Sequence, residues 1–268
     1  MELVSRGLAA SRSEAGALVA ASRVLVGGAV AEKASRQVAP SDPLVIIQPL
    51  PRFASRGGEK LDAALAKFQV EVAGKGALDA GASTGGFTDC LLQRGAVGVV
   101  AVDVGRGQLL ARLRADPRVE VMEGVNVRYL SPENFGGRRF EVVVADLSFI
   151  SLTAVARSLV GLARPGADIV NLVKPQFEAG RVLVSRGKGV VRDVSAWSGA
   201  LQSVASAFEE AGASVVEATP SPLLGARGNA EFFLHVRAAR AERTSIVDFD
   251  EVARSALPVA GDVAIGAQ

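Results

Sequence analysis

Apolar positions in this chain follow two periods. Between residues 76 and 236, short apolar runs recur at 76–80, 97–102, 119–122, 141–145, 167–173, 214–218 and 231–236. Runs of that length, bounded by Gly, Pro and Asp, predict buried strands. Between them lie stretches with helical spacing, at 108–114, 154–164 and 195–211. Leu61, Ala64, Leu65 and Phe68 form a helical face ahead of the first run, and Phe87, Cys90 and Leu91 form another just after it. Alternating strands and helices predict an α/β fold with a doubly wound, mostly parallel sheet and helices on both faces. Only a Pro/Gly-rich connection, 220–229, separates the last two runs, which predicts a hairpin at one edge. A final helix is expected within 247–257, followed by a loose tail.

Residues 1–50 carry a different pattern. Ser11-Arg12-Ser13-Glu14 is a capping box, and Ala15, Leu18 and Val19 follow on one helical face. Residues 24–30 read as strand, tight turn, strand, and 44–47 as another short strand. This predicts a small α+β domain. The segment 51–57 is expected to be a linker, opened by Pro51 and carrying Arg52 and Arg56. The large domain then spans 58–240, with 241–268 as terminal helix and tail.

Composition narrows the chemistry. The 268 residues are 49% hydrophobic and 22% charged, ordinary for a globular protein. A single cysteine, Cys90, excludes an intrachain disulfide, and a single histidine, His235, makes a histidine metal centre or a Ser-His triad improbable. No metal site is expected. With no secretory signal and no apolar run of about 18 residues, the chain reads as soluble and cytoplasmic. A net charge of +2 identifies no nucleic-acid partner by itself. The first 50 residues hold five cations, Arg6, Arg12, Arg23, Lys33 and Arg36, against four acids.

The candidate chemistry gathers at strand ends. The first run of the large domain leads through Asp79 into Gly81-Ala82-Ser83-Thr84-Gly85-Gly86, then into the helix with Phe87 and Thr88. A strand–glycine turn–helix lets a ligand approach bare backbone beside a helix N-terminus. The dinucleotide and phosphate-loop patterns are both absent. Asp79 suits a ligand with a cationic part, such as S-adenosylmethionine. Asp103, followed by Val104, is placed to accept from ribose hydroxyls. Asn126 is placed to read an adenine edge, while Asp146 and Lys174 end two further strands. A paired Asp and Lys reads either as a catalytic constellation or as an ion pair closing the crevice. Methyl transfer to a hydroxyl needs a base, and a lysine with a depressed pKa serves as one. Lys60, expected at a helix beginning where a cation is unfavourable, is a candidate to tune Lys174.

Five ordered blocks now carry a resemblance: S-R-G-G-E-K-L from Ser55, D-A-G-A-S-T-G-G-F-T from Asp79, A-D-L-S-F-I-S from Ala145, V-K-P-Q-F-E-A-G from Val173 and G-N-A-E-F-F-L from Gly228. Together they resemble the TlyA family of ribosomal-RNA ribose 2′-O-methyltransferases, historically also described as haemolysins. The resemblance implies a Rossmann-like class I methyltransferase domain of the FtsJ type, preceded by a small RNA-binding domain of the small-subunit ribosomal protein type. It implies S-adenosylmethionine as cofactor and ribosomal RNA within ribosomal subunits as partner. It also implies a K-D-K-E tetrad, carried onto Lys60, Asp146, Lys174 and Glu231, the last through the resemblance alone. RNA contacts are expected from Arg6, Arg12, Arg23, Lys33, Arg36, Arg52 and Arg56, and from a basic loop with Arg181, Arg186 and Lys188. Two alternatives remain: a non-catalytic RNA-binding assembly factor and a membrane-active haemolysin.

Overall fold

The computed structural model describes residues 2–47, 51–178, 189–239 and 246–257. The chain forms two compact units, divided after Pro51.

The first unit is built on α1 (Glu2–Ser5), α2 (Arg12–Ala20) and strands β1 (Val24–Val26), β2 (Ala29–Val30) and β3 (Leu44–Ile46). Ser11 caps α2 by accepting from Glu14 N, as the capping box predicts. The strands form an antiparallel sheet in the order β2-β1-β3. Leu3, Ala15, Leu18, Val24 and Val26 are the centre of its core.

The second unit holds α3 (Arg56–Lys67), β4 (Gly76–Ala80), α4 (Gly86–Gln93), β5 (Gly98–Asp103), α5 (Ala111–Arg114), β6 (Val119–Glu123), β7 (Phe140–Ala145), α6 (Ala156–Leu162), β8 (Ala163–Val173), α7 (Pro175–Glu178), α8 (Val194–Glu210), β9 (Ser214–Pro220), β10 (Phe232–Arg237) and α9 (Phe249–Ser255). Its seven strands lie in the order β6-β5-β4-β7-β8-β10-β9. The first five are parallel, and β10 is antiparallel to both neighbours. Apolar cores flank the sheet, one around Leu61, Leu65, Phe87 and Leu91, the other around Leu159, Trp197, Leu201 and Phe208. The chain runs outward from β4 to β6, then returns to place β7 on the other side of β4. That reversal opens a crevice at the carboxyl ends of β4, β5 and β7.

Two expectations are corrected. The helix expected over 154–164 stops at Leu162, because β8 already begins at Ala163, paired with Phe140, and Pro165 follows. The helix expected over 108–114 contracts to Ala111–Arg114, because Leu110 is extended, at φ −55° and ψ +139°, and its N–H donates to Thr84 O at 3.3 Å. The hairpin expected at one edge forms from β9 and β10, with β9 outermost and the buried F-F-L-H-V run of β10 internal, beside β8.

Candidate active site

β4 hands the chain to Gly81, whose φ of +92° is left-handed. A Cβ there would collide with the Asp146 carbonyl, so only glycine lets the β4 and β7 exits approach so closely. Gly81 N and Ala82 N donate to Val102 O, at 2.8 and 3.1 Å, folding the turn toward β5. Gly85, at φ +98°, starts α4 and packs against Leu109 and Leu113. The Asp103 carboxylate ties two loops together: Oδ2 accepts from Ser83 N at 2.7 Å and Oδ1 from Gly105 N at 2.6 Å.

Two adjoining clefts open at this end. The larger, about 620 Å³, is lined by Asp103, Val104, Gln108, Asn126, Asp146 and Ser148 among others. The smaller, about 230 Å³, is lined by Ser55, Arg56, Lys60, Thr84, Phe87 and Asp146 among others. Gly81, Ser83 and Asp146 border both. Asn126 Oδ1 accepts from Arg128 N, which leaves its amide NH₂ for the cleft. Gly86 borders the smaller cleft against Ser55.

Beneath the turn, Asp79 is fully buried and accepts from Thr88 Oγ1 at 2.6 Å. Among the described residues, its Oδ1 has no hydrogen-bond partner. Burial pushes its pKa up to about 7, aided by the charges of Asp146 and Asp103 and opposed by Thr88. Thr88 therefore supports Asp79 from inside the fold rather than from the cleft surface.

Four charged residues form two pairs here. Lys60 Nζ lies 2.6 Å from Glu231 Oε2, and Lys174 Nζ lies 2.5 Å from Asp146 Oδ1. Lys174 also donates to Ser148 Oγ at 3.2 Å. Lys60 is the fifth residue of α3, not its start, since Ser55 caps that helix. The expected dipole misfit is therefore absent, and Glu231 balances the buried cation instead. Each lysine has its own carboxylate, and Asp146 borders both clefts.

The expected RNA-contact residues divide. Arg12, Lys33, Arg36, Arg52 and Arg56 are exposed, though Arg36 and Arg52 also have partners. Arg6 is engaged internally, with Glu2 at 2.9 Å, Asp42 O at 2.7 Å and Ala39 O at 3.0 Å. Arg36 donates to Val30 O at 2.9 Å, and Arg23 to Ile47 O at 2.9 Å. Arg52 pairs with Asp62 at 2.6 Å and lies over the Phe53 ring. Arg181, Arg186 and Lys188 lie outside the described residues. Among the described residues, no group of three His, Cys, Asp or Glu side chains could hold a metal ion, and no helix is long and apolar enough to cross a membrane.

Residue-by-residue reading missed several participants. Ser148 is polar two positions beyond Asp146, and Gln108 follows the second glycine after Asp103, so position alone marks both. Ser55 opens S-R-G-G-E, a readable N-cap. Glu178 carried no signal, because its partners are distant in sequence.

Family models match both units of the chain. Residues 53–238 match the FtsJ-like methyltransferase family and residues 2–44 match the S4 domain. The chain is 50% identical, over 88% of its own length and 88% of the relative's, to the 16S/23S rRNA (cytidine-2′-O)-methyltransferase TlyA of Mycobacterium tuberculosis. A solved structure described as a hemolysin from Streptococcus thermophilus superposes with a TM-score of 0.76 at 36% identity, covering 98% of this chain and 96% of that one. Another, described as a hemolysin from Lactococcus lactis, gives 0.71 at 40% identity over 77% of this chain and 99% of that one. With an S4 domain ahead of a methyltransferase sheet, and with this identity across most of its length, the chain belongs to the TlyA family of FtsJ-like methyltransferases.

Proposed function

We propose that this protein transfers a methyl group from S-adenosylmethionine to a ribose 2′-hydroxyl of ribosomal RNA in ribosomal subunits. One observation carries the reading: two lysine–carboxylate pairs stand at the crevice, and the carboxylate of one, Asp146, borders both clefts. The cytoplasm is where its substrate would be met.

The residues at the β4–β5 side fit the cofactor. The larger cleft has the size of a small-molecule site. Gly81 exposes bare backbone, Asp103 and the Asn126 amide supply polar contacts, and the orphaned Asp79 Oδ1 is a buried acceptor near the turn. When bound, S-adenosylmethionine supplies an electrophilic methyl on a sulfonium. The backbone of residues 81–86, more than their side chains, would face it.

Lys174 would orient the 2′-hydroxyl or take its proton. Asp146 would fix the lysine's position and balance its charge, with Ser148 as a second anchor. Lys60 would hold the target ribose, and Glu231 would keep its cation in place. Alignment of the acceptor then supplies most of the rate. Arg12, Lys33 and Arg56, which are exposed, would meet phosphates.

The test is methyl transfer from radiolabelled S-adenosylmethionine to purified, unmethylated ribosomal subunits, with Lys174→Ala beside wild type. Label in RNA with wild type only is the expected result. No label with either protein, despite measurable cofactor binding, would favour a non-catalytic assembly factor.

A further inference from the structure

We infer that Glu178 is a positioning residue for the Lys174–Asp146 pair, acting by clasping the exit loop of β7 to the exit turn of β8. The inference rests on the functional reading above.

The two segments meet at three levels. At one end Lys174 reaches Asp146 and Ser148, at 2.5 and 3.2 Å. In the middle the rings of Phe177 and Phe149 lie 5.5 Å apart. At the other end the Glu178 carboxylate accepts from Ser151 Oγ at 2.5 Å and from Leu152 N at 2.9 Å. Residues 174 and 178 are one helical turn apart, so α7 is fastened to residues 146–152 at both its ends.

The loop needs the fastening. Phe149 holds a left-handed φ of +67° and is 93% exposed, so its own packing does not enforce that conformation. Ser151 is the N-cap of the one-turn helix Leu152–Ala154, where it accepts from Thr153 N at 3.1 Å while donating to Glu178. Glu178 therefore fixes the far side of the strained turn, as Lys174 fixes the near side. Burial raises the Glu178 pKa, against the opposing hydrogen bonds from Ser151 and Leu152, so its placement here is costly for the ion and is offset by the clasp. Loss of the clasp frees residues 147–152 to move Ser148 and Asp146 relative to Lys174.

The test compares Glu178→Ala, Glu178→Gln and Ser151→Ala in the full chain, by methyl transfer, cofactor binding and hydrogen exchange. Displacing an acceptor base by about an ångström costs on the order of 10²-fold, so Glu178→Ala is expected to lower kcat by about that factor. Its S-adenosylmethionine Kd, which also senses the cleft wall at Asp146 and Ser148, rises by much less than kcat falls, and amides within 146–154 exchange faster. Glu178→Gln, which keeps an acceptor for Leu152 N and a donor for Ser151 Oγ, restores most of the rate; a loss due only to poorer folding would not split kcat from Kd in this way. If Glu178→Ala fails to fold, Ser151→Ala carries the same expectations at smaller amplitude. Folded variants with wild-type kcat, or with unchanged exchange in 146–154, would overturn the inference. Inactive wild type with faster exchange in Glu178→Ala would leave the clasp standing and remove the functional reading.

Discussion

Lys60 and Glu231 meet at 2.6 Å although 171 positions separate them in sequence, and both side chains are buried. A buried pair of this kind contributes little net stability, but losing one partner strands a charge, at about 3–5 kcal/mol. Glu231→Ala is therefore expected to unfold at markedly lower urea. The double variant Lys60→Met/Glu231→Met recovers stability and still fails to methylate RNA. Equilibrium unfolding beside a methyl-transfer assay separates the two effects.

Lys174→Met tests the acceptor base. General base catalysis is worth about 10²–10⁴-fold, and kcat is expected to fall within that range. Cofactor affinity, measured by calorimetry, should barely change. Lys174→Arg should not rescue, because arginine does not give up its proton.

Asp79 gives the protein a pH-dependent weakness. Its pKa is about 7 in the fold, above the value of a free carboxyl, so the unfolded chain loses this proton first as pH rises. Between about pH 4 and 7 this group lowers stability by up to about 1.4 kcal/mol per pH unit. Below that window the penalty is absent, and above it the penalty is complete. Asp79→Asn should therefore gain stability relative to wild type as pH rises, read from urea midpoints across the range. A flat difference would mean that the carboxyl is not held protonated.

Gly81→Ala combines a left-handed φ with a collision against the Asp146 carbonyl. Alanine is incompatible with this φ, so the expected cost exceeds about 1 kcal/mol. Cofactor affinity should fall with it, because the β4 and β7 exits must separate. Thermal melts with and without S-adenosylmethionine measure both.

Cations of the S4 domain should act by two routes. Arg36 is bonded to hairpin carbonyls, so Arg36→Ala is expected to destabilise the unit itself. Lys33→Ala should leave stability unchanged and weaken RNA binding, with a shallower salt dependence. Binding titrations at several salt concentrations, set beside unfolding curves, distinguish the routes.

The sequence alone determined the strand–helix alternation, the glycine turn after β4 and the polar residues at strand ends. These are local: a buried strand must be an apolar run, a left-handed turn needs glycine, and a crevice residue follows a strand directly. Hence Asp79, Gly81, Asp103, Asp146 and Lys174 were readable one by one. Glu231 was named only through family likeness, since nothing near it in sequence explains a buried acid. Tertiary structure decided the partnerships. The reversal at β7 brings Asp146 against Gly81, and the antiparallel insertion of β10 beside β8 brings Glu231 to Lys60. Pairing also settled which cations are engaged by their own unit: Arg6 bonds carbonyls 33 and 36 positions away, and Arg36 is held to the hairpin carbonyls. Which groups meet depends on strand order, and strand order is set by how the whole sheet buries its two faces, not by any single stretch of residues.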